Sequence, residues 1–157
     1  MTTNDDLTLQ VLNGLLMASR DAEKGYQEAA DVVPEPELVE LFEGYALQRG
    51  KFALEIRERI TALRATPSDT GTPFAGLHRA WMGLKAALET RESRALLTEC
   101  ERGDALALKG YAAALREQDI DGQSRDLIQR QYEQVQAAHD RVRQLRERLE
   151  LASGRTP

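Results

Sequence analysis

A chain of 157 residues with a net charge of −5 is long enough to bury one core and carries no surplus of positive charge. That balance excludes a sequence-independent nucleic-acid binder, which needs a basic face to replace phosphate counterions. Helix-forming residues dominate, aromatics make up only 5%, and neither an alternating strand pattern nor an 18-residue apolar run occurs, so the expectation is all-α with no membrane partner.

Met1 to Asp6 is polar and acidic, without the basic region of a secretory signal, which points to a cytoplasmic protein. Asn4 to Asp6 offer N-cap chemistry for a first helix over about 5–31. Its inward row is Leu12, Leu15, Ser19, Ala22, Tyr26, Ala29 and Val33. Gly14 and Gly25 each cost a helix about 1 kcal/mol relative to Ala, so close packing is expected to compensate. Pro34 and Pro36 break the pattern, and the second helix covers about 36–65 with Leu38, Leu41, Tyr45, Gln48, Phe52, Ile56 and Leu63 inward. The short joint makes these two helices antiparallel neighbours.

Residues 66–73 form a Thr, Ser, Gly and Pro loop. A shorter amphipathic segment over about 74–88 follows, with Phe74, Leu77, His78, Trp81, Leu84 and Leu88. It reads as a crossover helix whose Trp81 packs either within the chain or at a subunit interface. Thr90 then caps a third long helix over about 91–117, with Leu97, Glu101, Asp104, Leu108, Tyr111 and Leu115 inward. The last helix, about 122–151, lays Ile128, Val135, Ala138, Val142, Leu145 and Leu149 in one narrow stripe. Gln131 fills the gap in that stripe, and Gln136 and His139 sit at its edge. Arg141, Arg143, Arg146 and Arg148 interleave with Glu147 and Glu150, the pattern of a solvated face. Cys100 is the single cysteine, so it forms no intrachain disulfide, and its apolar surroundings predict a buried free thiol.

The chemistry lies in the residues that interrupt the apolar rows. Ser19, Gln48, Lys51, Glu101, Asp104, Gln131, Gln136 and His139 form the expected polar layer. Buried charge must be paired, so Lys51 is expected to neutralise a carboxylate and His139 to face Glu101 or Asp104. Carboxylates and imidazole are also metal-ligand types. No phosphate-cradling glycine loop, Cys-x-x-Cys pair or nucleophile elbow occurs, and no catalytic residue is assigned.

The phrases Asp21-Ala22-Glu23-Lys24-Gly25-Tyr26, Gln48-Arg49-Gly50-Lys51-Phe52-Ala53 and Leu77-His78-Arg79-Ala80-Trp81 occur in that order. Glu101-Arg102-Gly103-Asp104 and Ala137-Ala138-His139-Asp140-Arg141 follow. Together they resemble small bacterial four-helix-bundle proteins of unknown function in the ferritin-like superfamily. The resemblance implies a ferritin-like four-helix bundle whose long crossover contains a short extra helix, and it implies a homodimer. Ferritin-like oxidases hold two irons on a Glu and a Glu-x-x-His from each half of the bundle. Here Ser19 stands at the first place, Gln48-Arg49-Gly50-Lys51 at the second, Glu101 at the third and Gln136-Ala137-Ala138-His139 at the fourth. Only Glu101 and His139 keep a ligand type.

The expected function is therefore a non-enzymatic helical bundle with a degenerate metal site and an interaction or stress-related role. The alternative is an iron- or manganese-binding carboxylate protein with oxidase or storage activity. Its ligands would come from Glu101, Asp104, His139 and Glu23. A third reading is a binding module that docks partners through the Trp81 segment.

Overall fold

Three- and four-residue spacing of apolar side chains folds the chain into helices throughout. The computed structural model describes the backbone of residues 3–68 and 77–154, and the side chains of 6–68 and 81–154. Among the described residues the elements are α1 (Thr3–Val32), α2 (Pro36–Ala62), α3 (Leu77–Thr90), α4 (Ser93–Arg116) and α5 (Gly122–Ala152). No helix among them is long and apolar enough to cross a membrane. Residues 69–76, which include most of the expected loop and the expected start of the crossover helix, lie outside the described residues.

The most extensive pairings are α1 with α2 and α4 with α5, so the chain forms two long helical hairpins. Further contacts join α1 to α4 and α2 to α5, which places the long helices in the cyclic order α1, α2, α5, α4. The short α3 lies over α4 and α1. Two apolar clusters fill the interior. One gathers Tyr26, Phe42, Trp81, Leu96, Leu97 and Val142. The other gathers Leu15, Leu16, Phe52, Ile56, Ile128 and Val135. Each such side chain removed from water contributes about 1.5–3 kcal/mol.

The ends follow local chemistry. Pro36 stands in the first turn of α2, where its missing N–H costs nothing. Asp121 caps α5 by accepting from the Ser124 amide at 3.2 Å, and it also pairs with Arg59 at 2.8 Å, tying α2 to the α4–α5 turn. Burial alone would raise the Asp121 carboxyl, but the Ser124 hydroxyl and amide and the Arg59 guanidinium outweigh it and hold it below the usual carboxylate range. Thr90 was expected to open the third long helix. It instead closes α3, its hydroxyl donating to the Ala87 carbonyl at 2.7 Å, and Glu92 takes the N-cap place of α4. The intervening Arg91, at φ 55°, reverses the chain between them.

The rows read for α1 and α5 need little revision. On α4, Glu101, Leu108 and Leu115 are only partly buried, and Leu96, Cys100, Ala107 and Ala114 face inward beside Leu97, Asp104 and Tyr111. The Phe74, Leu77 and His78 side chains of the α3 row lie outside the described residues. On α2 the row is rotated. Its buried side chains are Leu38, Phe42, Ala46, Arg49, Phe52, Ala53, Ile56 and Ile60. Leu41, Tyr45 and Gln48 are only partly buried. The two candidate rows lie one position apart over residues 41–49 and share Leu38, Phe52 and Ile56. Phe42 decides between them, because a Phe ring has no polar tip to leave in water whereas Tyr45 and Gln48 do.

A buried ion pair as the candidate functional site

The rotation of α2 brings Arg49 into the interior. Its side chain is 2% exposed and that of Asp104 on α4 is 0% exposed. Arg49 donates from Nη1 to Asp104 Oδ1 at 2.6 Å and from Nη2 to Oδ2 at 3.1 Å, a bidentate fork. Tyr26 on α1 donates its hydroxyl to the same Oδ2 at 2.5 Å. Arg49 Nε donates to Gln48 Oε1 at 3.0 Å, and the guanidinium carbon stands 5.4 Å from the centre of the Tyr26 ring. Both carboxylate oxygens are thus engaged by neighbours from two other helices.

Electrostatics follow from this geometry. Burial alone would lower the Arg49 pKa, but Asp104 more than offsets it and the guanidinium stays charged. Tyr26 is pushed well above the usual phenol range by burial and by the Asp104 charge. Cys100, one turn before Asp104, is likewise pushed up by burial and then by that carboxylate, which keeps the thiol protonated and unreactive.

Trp81 of α3 seals the cluster, its ring 5.7 Å from Tyr26 centre to centre. The indole lies between Gly25 of α1 and Gly103 of α4, and a Cβ on either glycine would collide with it. This is the compensation expected for Gly25. It also puts Trp81 in the interior of its own chain at 8% exposure.

A second polar cluster lies deeper along the helices. Tyr111 donates to Gln131 Oε1 at 2.8 Å, and Gln131 Nε2 donates to Glu55 Oε1 at 3.0 Å and to the Phe52 carbonyl at 3.3 Å. Burial pushes Tyr111 up to about 12. Ser19 is buried beside it.

The residues expected to hold a metal are dispersed. Glu101 is held by Arg146, with Nε to Oε1 at 2.5 Å and Nη2 to Oε2 at 3.3 Å, and Arg146 also reaches Glu150 at 3.0 Å. Glu101 is the main reason the Arg146 pKa is raised. His139 shares with Glu101, Arg146 and Glu150 an open depression between α4 and α5. Its Nδ1 has no hydrogen-bond partner, the Asp140 carboxylate standing 3.5 Å away. Asp104 is sequestered by Arg49, and Glu23 lies against Gly50 within the α1–α2 hairpin. Among the described residues, no three His, Cys, Asp or Glu side chains converge as they would around an ion.

The remaining members of the expected polar layer also part company. Gln136 is partly buried and donates to Asp140 at 3.1 Å. Gln48 lies at the edge of the interior, and Lys51 is exposed. The cation expected from Lys51 is supplied by Arg49, which reaches Asp104 because it sits on the buried side of α2. The sequence offered one signal for this, since Arg49 continues the Phe42 and Ala46 row toward Ala53 and Ile56.

Helices packed around a buried Arg–Asp–Tyr cluster under a tryptophan define an all-helical protein class with an ion pair at its centre. The chain matches the domain of unknown function DUF2383 over residues 7–117 and belongs to that family. The matched span holds Tyr26, Arg49, Trp81 and Asp104 together, whereas α5 follows it. No curated protein matches the chain.

Proposed function

We propose that this chain is a non-enzymatic bundle of the ferritin-like kind, bacterial in origin, with an interaction or stress-related role. In this reading the Arg49 guanidinium takes the charge-balancing part that a metal ion plays in ferritin-like oxidases. The carrying observation is the engagement of Asp104, whose Oδ1 and Oδ2 both accept from Arg49 while Oδ2 also accepts from Tyr26. A cation would have to displace a bidentate partner already inside the protein, where such hydrogen bonds are strong. The two long hairpins, joined through a connection that carries α3, support the ferritin-like assignment. The other oxidase ligand positions fit a di-iron centre poorly, because Ser19, Gln48 and Lys51 replace carboxylate or imidazole and Glu101 is bound by Arg146.

Elemental analysis after aerobic loading with Fe(II) and Mn(II), followed by gel filtration, tests this reading. The expected content is far below one ion per chain. A stoichiometric ion would overturn it in favour of an iron- or manganese-binding carboxylate protein with oxidase or storage activity. One observation favours that second reading, the shared depression of Glu101, His139 and Glu150. Replacing Glu101 and His139 would then abolish the uptake.

A further inference from the structure

Three aromatic rings touch in series through the bundle. The Tyr26 ring stands 5.7 Å from Trp81 and 5.3 Å from Tyr45, centre to centre, within the range of direct aromatic contact. Trp81 lines a depression between α1 and α3, next to the exposed Met82. Tyr45 is only partly buried and lines a depression on α2 with Glu40 and Gln48. The series therefore runs from the α1–α3 side, through the interior, to the outer side of α2.

The rings differ in where a proton can go. Tyr26 donates its hydroxyl to Asp104 Oδ2 at 2.5 Å, so a base stands within reach of that proton. The Trp81 indole Nε1 is buried and, among the described residues, has no hydrogen-bond partner. The partly exposed Tyr45 can exchange its proton with water. Arg49 places a positive charge 5.4 Å from the centre of the Tyr26 ring, which disfavours a second positive charge there. Burial and the Asp104 charge keep the phenol protonated until it is oxidised.

We propose that Tyr26 is a buried one-electron relay, fed through Trp81 and emptied through Tyr45, with Asp104 as its proton acceptor. A one-electron oxidant, such as a peroxide-derived radical, takes an electron from the Trp81 ring. The indole keeps its proton, because nothing accepts it, and the radical cation draws an electron from Tyr26. As that electron leaves, the phenolic O–H bond breaks and the proton bonds to Asp104 Oδ2. Trp81 is restored, and a neutral tyrosyl radical and a neutral carboxyl remain. An electron from Tyr45 then restores Tyr26, which takes its proton back from Asp104, while Tyr45 loses its own proton to water. Arg49 favours that return, since it regains a charged partner. A one-electron donor such as ascorbate regenerates Tyr45, with a proton from water. Every group in the relay belongs to the chain itself, so the inference is independent of metal content.

Photogenerated ruthenium(III) tris(bipyridine), made with a cobalt(III) pentaammine quencher, is the test oxidant for the full chain. Transient absorption and freeze-quench EPR should show a tyrosyl radical whose formation has a phase unchanged by buffer base. That phase should keep its rate from pH about 6 to 9, where the carboxylate is ionised and the phenol protonated. A partly exposed tyrosine such as Tyr132 instead gives up its proton to solvent, and its phase speeds up as buffer base is added. Tyr26→Phe, which keeps the ring in the core, should remove the buffer-independent phase with unchanged helical content by circular dichroism. Trp81→Phe should slow that phase at least about tenfold. Tyr45→Phe should slow the decay of the radical in ascorbate. The proposal is overturned if no buffer-independent phase forms in the original chain, or if the phase survives Tyr26→Phe. It is equally overturned if Trp81→Phe leaves the formation rate unchanged or Tyr45→Phe leaves the decay unchanged.

Discussion

Tyr111 has almost no solvent contact and donates to Gln131, so its ionisation reports on the interior directly. With its pKa pushed up to about 12, the folded protein keeps the phenolic proton where the unfolded chain, at about 10, has lost it. The unfolded state therefore binds fewer protons between those values, and stability falls as pH rises. The full contribution is present below pH about 10, and about 2–3 kcal/mol is lost by pH about 12. Tyr26, raised in the same direction, steepens the decline. Urea unfolding from pH 8 to 12 should show this fall, and Tyr111→Phe should make it shallower; an unchanged midpoint would contradict the burial of both phenols. Cys100 makes a second residue-scale prediction. A thiol that is 0% exposed and pushed up by burial should resist a disulfide reagent in the native protein and react at once in denaturant. Polar interruptions of apolar rows located Ser19, Asp104 and Gln131 from sequence. Arg49 escaped because arginine is an ordinary surface residue, and only a partner on another helix makes its burial tolerable.

Among the elements, α3 is fixed by one side chain and two absences of a side chain. Gly25→Ala or Gly103→Ala would push a methyl group into the Trp81 ring and should cost about 1–3 kcal/mol. Trp81 is the only tryptophan, so its fluorescence should shift to the red in both variants as α3 lifts from α1 and α4. An unshifted spectrum with full stability would mean that the indole is not held between those glycines. The apolar rows of α1 and α5 were legible because each has a single phase compatible with its residues. In α2 two phases compete, and the choice depends on how Tyr45 and Gln48 leave their polar ends outside, a matter of packing rather than periodicity. Thr90 was misplaced for a related reason. Its hydroxyl can serve either the end of one helix or the start of the next, and the backbone reversal at Arg91 assigns it to the first.

Across the whole molecule, Arg49 and Asp104 join α2 to α4, which stand diagonally opposite in the order α1, α2, α5, α4. Tyr26 brings in α1, and Trp81 brings in α3, so a single cluster ties the two hairpins and the connecting helix together. The all-helical architecture was legible from the sequence because periodicity and helix breaks report local structure. Which charges meet across the interior was not, since that depends on helix rotation. The Arg49–Asp104 pair is thus a structural lock in which each charge needs the other. The most direct test is urea unfolding of Arg49→Leu, Asp104→Leu and the double variant against the original chain. Each single change should cost about 3–5 kcal/mol by stranding a buried charge, and the double variant should recover most of that loss. A double variant as destabilised as the sum of the two singles would contradict the lock.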